Sequence, residues 1–256
     1  MRNIIVIILL ISITNLKAQD YTFRKNIDKD SLFDASVRKL PQNMREEYIK
    51  EYKNGNAQSK EFLLFMISMP VSSKEELIEN FENKKNEIQT LKNEYFKLIP
   101  QNYIVEIEFE PESKILNVTE QFTIKIFKRS TPENSNDDNS AQINDKFELV
   151  SQNWNLKPSS KELNEILKTL NWTNNTLTEI KKLLKGANCI SIKNGKVTTI
   201  GFARSGMGLY SYKLFEKELT PKQKTKYNNG CEYLYYKDNI VLEYGGGAVG
   251  PQCFEK

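Results

Sequence analysis

The chain opens on an apolar run that it never repeats. Ile4 to Ile13 are apolar except for Ser12, Arg2 stands ahead of them, and Leu16-Lys17-Ala18 ends in a small residue before polar Gln19-Asp20. A basic start, an apolar run of this length and a small residue at its exit predict a cleavable export signal over residues 1–18. The run is too short for a membrane-spanning helix, which needs about 20 apolar residues. No later stretch approaches that length, so the sequence predicts no integral membrane segment after cleavage and a periplasmic or extracellular location.

From about Ser31 to Leu98 the apolar positions recur at helical spacing, interrupted at Pro41, at Asn54-Gly55-Asn56 and at Pro70. Ser72 and Ser73 precede Glu75 and Glu76 by three residues, a doubled capping-box signature. Leu77, Phe81, Ile88, Leu91, Tyr95 and Leu98 then follow at spacings of three, four and seven. This predicts a long helix packed against Phe62–Ile67 as an antiparallel pair joined across Pro70. A structural subunit docked through that pair would instead leave the Leu77–Leu98 stripe exposed.

After Pro100 the period changes to two. Tyr103, Val105, Ile107 and Phe109 alternate with Ile104, Glu106, Glu108 and Glu110, and Phe122, Ile124 and Ile126 alternate likewise. The two segments are predicted to pair antiparallel about the Pro111-Glu112-Ser113 turn, with the glutamate face opposite Lys125 and Lys128. The glutamate row reads as a solvated face rather than a cation site, because calcium usually requires a wrapping loop with further carbonyl ligands.

Ser130 to Asn144 has almost no apolar content and reads as a flexible polar linker. Beyond it, Phe147, Leu149 and Trp154 suggest one more strand. Helices are predicted from a Ser160 cap through Leu170, and from Leu177 to Lys185 with a stop at Gly186. Strands Ile190–Lys193 and Lys196–Phe202 flank Asn194-Gly195, a type I′ signal in which both turn residues take positive φ. Leu209–Phe215 follows, then a polar connection over Pro221–Gly230, then a hairpin of Cys231–Tyr236 and Ile240–Tyr244. The predicted fold class is α+β: an N-terminal helical region with a β-hairpin, then a C-terminal helix-helix unit packed on a mainly antiparallel sheet. The expected division is a signal over 1–18, helices and strands over 19–129, the linker over 130–146, and an α+β domain with a Gly-rich tail over 147–256.

Charge removes one class of partner. The formal charge of +4 falls to +2 when Arg2 and Lys17 leave with the signal, and the remaining charges are interspersed. Lys181, Lys182 and Lys185, and Lys222, Lys224 and Lys226, are short clusters that read as solvated helix faces. No nucleic-acid partner is expected.

The chemistry is bounded by what the 256 residues lack. With no histidine, Ser-His-Asp and Cys-His catalysis have no base. The usual zinc ligand sets shrink to cysteines and carboxylates, so neither a metal nor a cofactor is expected. Cys189, Cys231 and Cys253 suggest one disulfide and one leftover thiol, with three pairings open. Ala203-Arg204-Ser205-Gly206-Met207-Gly208 lacks the glycines of a nucleophile elbow. It reads as a turn between strands, with Arg204 a candidate anion ligand.

Two features remain as binding candidates. Seven of the twelve tyrosines lie after residue 205. Tyr210 with Tyr212 and Tyr233 with Tyr235 would make a ladder for stacking on sugars or a peptide if their faces coincide, and otherwise would pack as core. Tyr244-Gly245-Gly246-Gly247 offers backbone amides for an anion nest, or a flexible exit from the last strand. The sequence therefore predicts a non-catalytic exported binding or interaction module of the envelope. Its expected contact residues are Arg204, Tyr210, Tyr212, Tyr233, Tyr235, Tyr244, Gly245, Gly246 and Gly247, and its partner an envelope protein or a glycan. The competing expectation is a histidine-free hydrolase of cell-wall or extracellular glycan, with Glu232, Glu243 or Glu216 in a carboxylate pair.

Overall fold

The computed structural model describes residues 22–40, 42–110, 112–129, 147–245 and 254. The expected signal, residues 130–146, Gly246, Gly247 and Cys253 lie outside them. Seven helices are found among these residues: α1 (Lys29–Val37), α2 (Gln42–Asn54), α3 (Ala57–Ile67), α4 (Lys74–Leu98), α5 (Lys161–Thr169), α6 (Asn174–Gly186) and α7 (Pro221–Lys226). The strands are β1 (Tyr103–Glu110), β2 (Gln121–Arg129), β3 (Phe147–Leu156), β4 (Ser191–Lys193), β5 (Val197–Ser205), β6 (Gly208–Phe215), β7 (Tyr233–Lys237) and β8 (Ile240–Gly245). The fold is α+β. No described helix is long and apolar enough to cross a membrane.

Ser73 opens α4 with a complete capping box. Its Oγ accepts from Glu76 N–H at 3.1 Å, and the Glu76 carboxylate accepts from Ser73 N–H at 3.2 Å. The stripe Leu77, Phe81, Ile88, Leu91 and Tyr95 is buried beneath the sheet and α6, so it is no free docking surface. Nor does it meet Phe62–Ile67 as expected. Helices α1, α2 and α3 gather instead around Phe33, Val37 and Leu64 as a separate cluster. The cause lies at Pro70–Ser72, which is drawn onto the β5–β6 turn: Gly206 N–H donates to Pro70 O at 2.8 Å, and Ser72 N–H to Ser205 Oγ at 3.1 Å. The chain is thereby redirected before α4 begins.

All eight strands form one antiparallel sheet in the order β3-β2-β1-β4-β5-β6-β8-β7. Strands from both sides of the 130–146 segment share it, because β1 also pairs with β4 through Glu106↔Lys193 and Glu108↔Ser191. The expected boundary therefore does not divide the sheet. One face carries Val105, Ile107, Ile124, Ile126, Ile192, Ile200, Tyr212 and Leu242 into a core with α4, α5 and α6. The glutamate row lies on the other face, where Lys125 meets Glu106 at 2.7 Å. Lys128 does not join it. Three residues from Lys125, it falls on the opposite face of a period-two strand and pairs with Tyr103.

Several turns depart from expectation in instructive ways. Gly195 takes φ +148° but Asn194 does not take positive φ, so the β4–β5 turn is not type I′. Asn194 instead extends the β1–β4 pairing with its side chain, accepting from Val105 N–H at 2.6 Å and donating to Tyr103 O at 3.1 Å. Helix α6 begins at Asn174, three residues before the expected start, because Thr173 supplies a capping box with Thr176. It stops at Gly186 as expected, but the left-handed residue that closes it is Asn188, beyond the Ala187 cap, and not the glycine. Cys189 N–H reaches back to Leu184 O at 2.9 Å and Asn188 N–H to Lys185 O at 3.1 Å, a Schellman closure. Asn171 ends α5 in the same way.

Candidate functional site

A cleft of 1240 Å³ lies at one end of the helical layer. Glu76, Asn80 and Asn83 line it from α4 at spacings of four and three, and Lys181, Leu184 and Asn188 from the end of α6 at spacings of three and four. Each helix thus turns one face toward the other across the gap. Phe109, Cys189, Ile190, Phe202 and Ala203 form the floor, and Pro70–Ser72, Glu112 and Glu120 form the lips. Glu112 is ion-paired with Arg24 and Glu120 with Lys181. The three-helix unit α1–α3 joins one lip to the other without lining the cleft.

Asn80 fixes the inner wall. It sits between Leu77 and Phe81 in the apolar stripe of α4 and is 7% exposed. Its Nδ2 donates to Ala187 O at 3.3 Å and to the Tyr212 hydroxyl at 3.1 Å, and its Oδ1 accepts from Asn188 Nδ2 at 2.9 Å. Both polar atoms of the amide are bonded, so it ties α4, β6 and the α6 terminus into one rigid corner. Cys189, beneath it, donates its thiol to Ala187 O at 3.3 Å. Burial pushes that thiol up to about 12, against a smaller lowering from Asn80, which makes it inert as a nucleophile at neutral pH.

A bulge explains the position of Arg204. Gly201 pairs with Ser211 but Ala203 with Tyr210, so Phe202 is one residue in excess. Strict alternation would send Arg204 toward the helices. The bulge shifts the phase by one and turns it to the open face, where Nε and Nη2 meet the two Glu108 oxygens at 2.7 and 2.6 Å. The expected anion ligand is thus committed to a buried carboxylate, while its side chain still borders the cleft.

The tyrosines do not form one ladder. Tyr210 and Tyr212 face the helices and are buried, and Tyr212 is 0% exposed. Tyr244 stacks on Tyr210 with centroids 4.4 Å apart and donates to Ser205 O at 3.2 Å. Its ring crosses Gly208, where a Cβ would collide with it. Tyr233 pairs with Glu243 and Tyr235 with Val241 on the opposite face, packed with Phe215, Leu219 and Tyr227. Lys224 lies over Tyr235, 4.8 Å from its centroid. Gly245 closes β8 opposite Leu209.

The carboxylates proposed for hydrolysis do not converge. Glu243 is paired with Lys213 at 3.1 Å on the open face. Glu232 gives its carbonyl to Tyr244 N–H at 2.9 Å, one position out of phase with Glu243, and Glu216 is exposed beyond β6. None of the three borders the cleft. Among the described residues no group of three or more carboxylates and cysteines is placed to hold a metal ion.

Sequence reasoning passed over Asn80, Asn83, Asn188, Phe109 and Phe202. One signal was present: an asparagine inside an apolar helical stripe, between Leu77 and Phe81. Against known protein families, curated proteins and solved structures the chain has no match.

Proposed function

We propose that this is an exported, non-catalytic binding module of the cell envelope that grips a segment of a partner protein in the α4–α6 cleft. The observation that carries the reading is the cleft's composition, an apolar floor between neutral amides with both signs of charge above them. Its 1240 Å³ exceeds the roughly 300–1,000 Å³ of ordinary small-molecule pockets. Asn83 and Asn188 present amides suited to the N–H and C=O groups of an extended chain. Glu79 and Lys185 stand on opposite walls to receive charges of opposite sign. The other carboxylates at the lips are engaged, Glu76 in its cap and Glu112 and Glu120 in ion pairs, which favours holding over acid–base work.

Export rests on residues 1–18, and the cysteines agree with it. Cys189 is a free buried thiol, which leaves Cys231 and Cys253 to pair. Phe254 N–H donates to Cys231 O at 2.9 Å, which brings the neighbour of Cys253 to Cys231. Such a pair suits an oxidising compartment.

The test places a photo-crosslinking residue at Asn83, with a control at Thr225 on α7, in cells exporting the protein. Polypeptide adducts from position 83 that are absent from 225 and weakened by Lys185→Glu are expected. Adducts at both positions, or at neither, would overturn the reading. A glycan hydrolase would instead release soluble fragments from cell-wall sacculi, and the release would vanish in Glu243→Gln or Glu232→Gln.

A further inference from the structure

The open face of the sheet holds a second concavity on the side away from the cleft, a groove of 290 Å³. Two rows of side chains build it. Ser191, Gly201 and Ser211 are cross-strand neighbours on β4, β5 and β6, and Lys193, Thr199 and Lys213 form the next row on the same three strands. Gly201 is required at the centre: a Cβ there would run into Ser191 Oγ and lie 3.0 Å from Leu209 Cδ2.

Ser191 and Ser211 are 7% and 3% exposed, and both line the groove. Neither hydroxyl has a hydrogen-bond partner among the described residues. Neither belongs to the buried polar atoms that lack a partner, so both hydroxyls open onto the groove, where they can bond whatever occupies it. Cations surround the pair, each held by a carboxylate: Lys193 by Glu106 at 3.6 Å, Lys213 by Glu243 at 3.1 Å, and Arg204 by Glu108 at 2.6 Å. With Lys125 the lining carries four cations to three carboxylates, one positive charge in excess.

We propose that this groove binds a sugar acid, a hexose-sized ring with one carboxylate and several hydroxyls. The excess positive charge takes the carboxylate, while Ser191, Thr199 and Ser211 exchange hydrogen bonds with ring hydroxyls and the flanking glutamates accept from the remainder. The volume lies at the lower end for a small-ligand site and suits one such ring. A bulky aromatic platform is absent from the lining, so polar contacts carry the selectivity. The groove and the α4–α6 cleft open on opposite faces and share Arg204 in their linings.

Calorimetric titration of the intact chain with glucuronate, digalacturonate, glucose and acetate tests this. Saturable binding of glucuronate or digalacturonate is expected, with glucose and acetate at least about tenfold weaker because each lacks one half of the recognition. Tighter binding of the monomer identifies a free sugar acid as the ligand, and tighter binding of the dimer an acidic polysaccharide. Ser211→Ala, whose folding is checked by its melting temperature, should weaken binding roughly tenfold. The proposal is overturned if neither acid saturates by about 10 mM, if glucose or acetate binds as well, or if folded Ser211→Ala binds unchanged.

Discussion

The Asn80 amide donates to the Tyr212 hydroxyl at 3.1 Å, and that hydroxyl donates in turn to Leu77 O at 2.7 Å. Helix α4 is thus bonded to the centre of the sheet through a buried polar relay rather than by apolar contact alone. Burial raises the Tyr212 phenol far above its ordinary value, with the Asn80 bond opposing, so the relay persists across the working pH range. Asn80→Ala should destabilise the fold by about 2–3 kcal/mol, because it strands buried groups on three elements, and Tyr212→Phe by about 1–2 kcal/mol. Urea denaturation measures both. A loss below about 0.5 kcal/mol for Asn80→Ala would mean that the corner is held by packing.

Gly201 makes a separate claim about the sheet. Gly201→Ala should destabilise by about 1–3 kcal/mol through overpacking against Ser191 and Leu209. Ser191→Ala removes the hydroxyl that a new methyl would strike, so the double variant should recover part of the loss. Additive effects in that cycle would show that the two positions do not touch.

The cysteines give a labelling pattern. In the native protein Cys189 should resist alkylation, since burial pushes its thiol up to about 12. After unfolding without reductant one thiol should react, and after reduction three. Cys231→Ser should lose about 3 kcal/mol, the chain-entropy value for closing a loop of roughly 20 residues. Three reactive thiols in the unreduced unfolded protein would refute the Cys231–Cys253 pair.

Periodicity reveals elements, and it revealed most of this fold. The alternation at Tyr103–Glu110, the Ser73–Glu76 cap and the seven-residue spacing of α4 each describe one segment's own faces, and those faces appear as read. What periodicity does not carry is phase across a bulge or the choice of neighbour. Nothing local to Gly201-Phe202-Ala203 marks Phe202 as the extra residue, yet that residue decides which face Arg204 takes. Similarly, Tyr210 and Tyr233 look equivalent along the chain. The β6–β8–β7 register puts them on opposite faces. The cleft was least legible, because it is assembled from helix ends and strand ends that meet only when β1 pairs with β4.

Glu110 offers a check on the open face through pH. Its carboxyl is raised from 4.5 by burial first and then by the Glu108 carboxylate, with Arg204 pulling the other way. In the unfolded chain it titrates near its ordinary value, so the folded state holds the proton more tightly. The resulting stability is fully present below 4.5 and is lost as pH rises through the elevated folded value. Glu110→Gln removes that loss. The variant should therefore match the parent in urea midpoint at about pH 4 and exceed it at about pH 7. A variant weaker than the parent near neutrality would mean that Arg204 divides its charge between Glu108 and Glu110, and that the attraction outweighs both burial and repulsion.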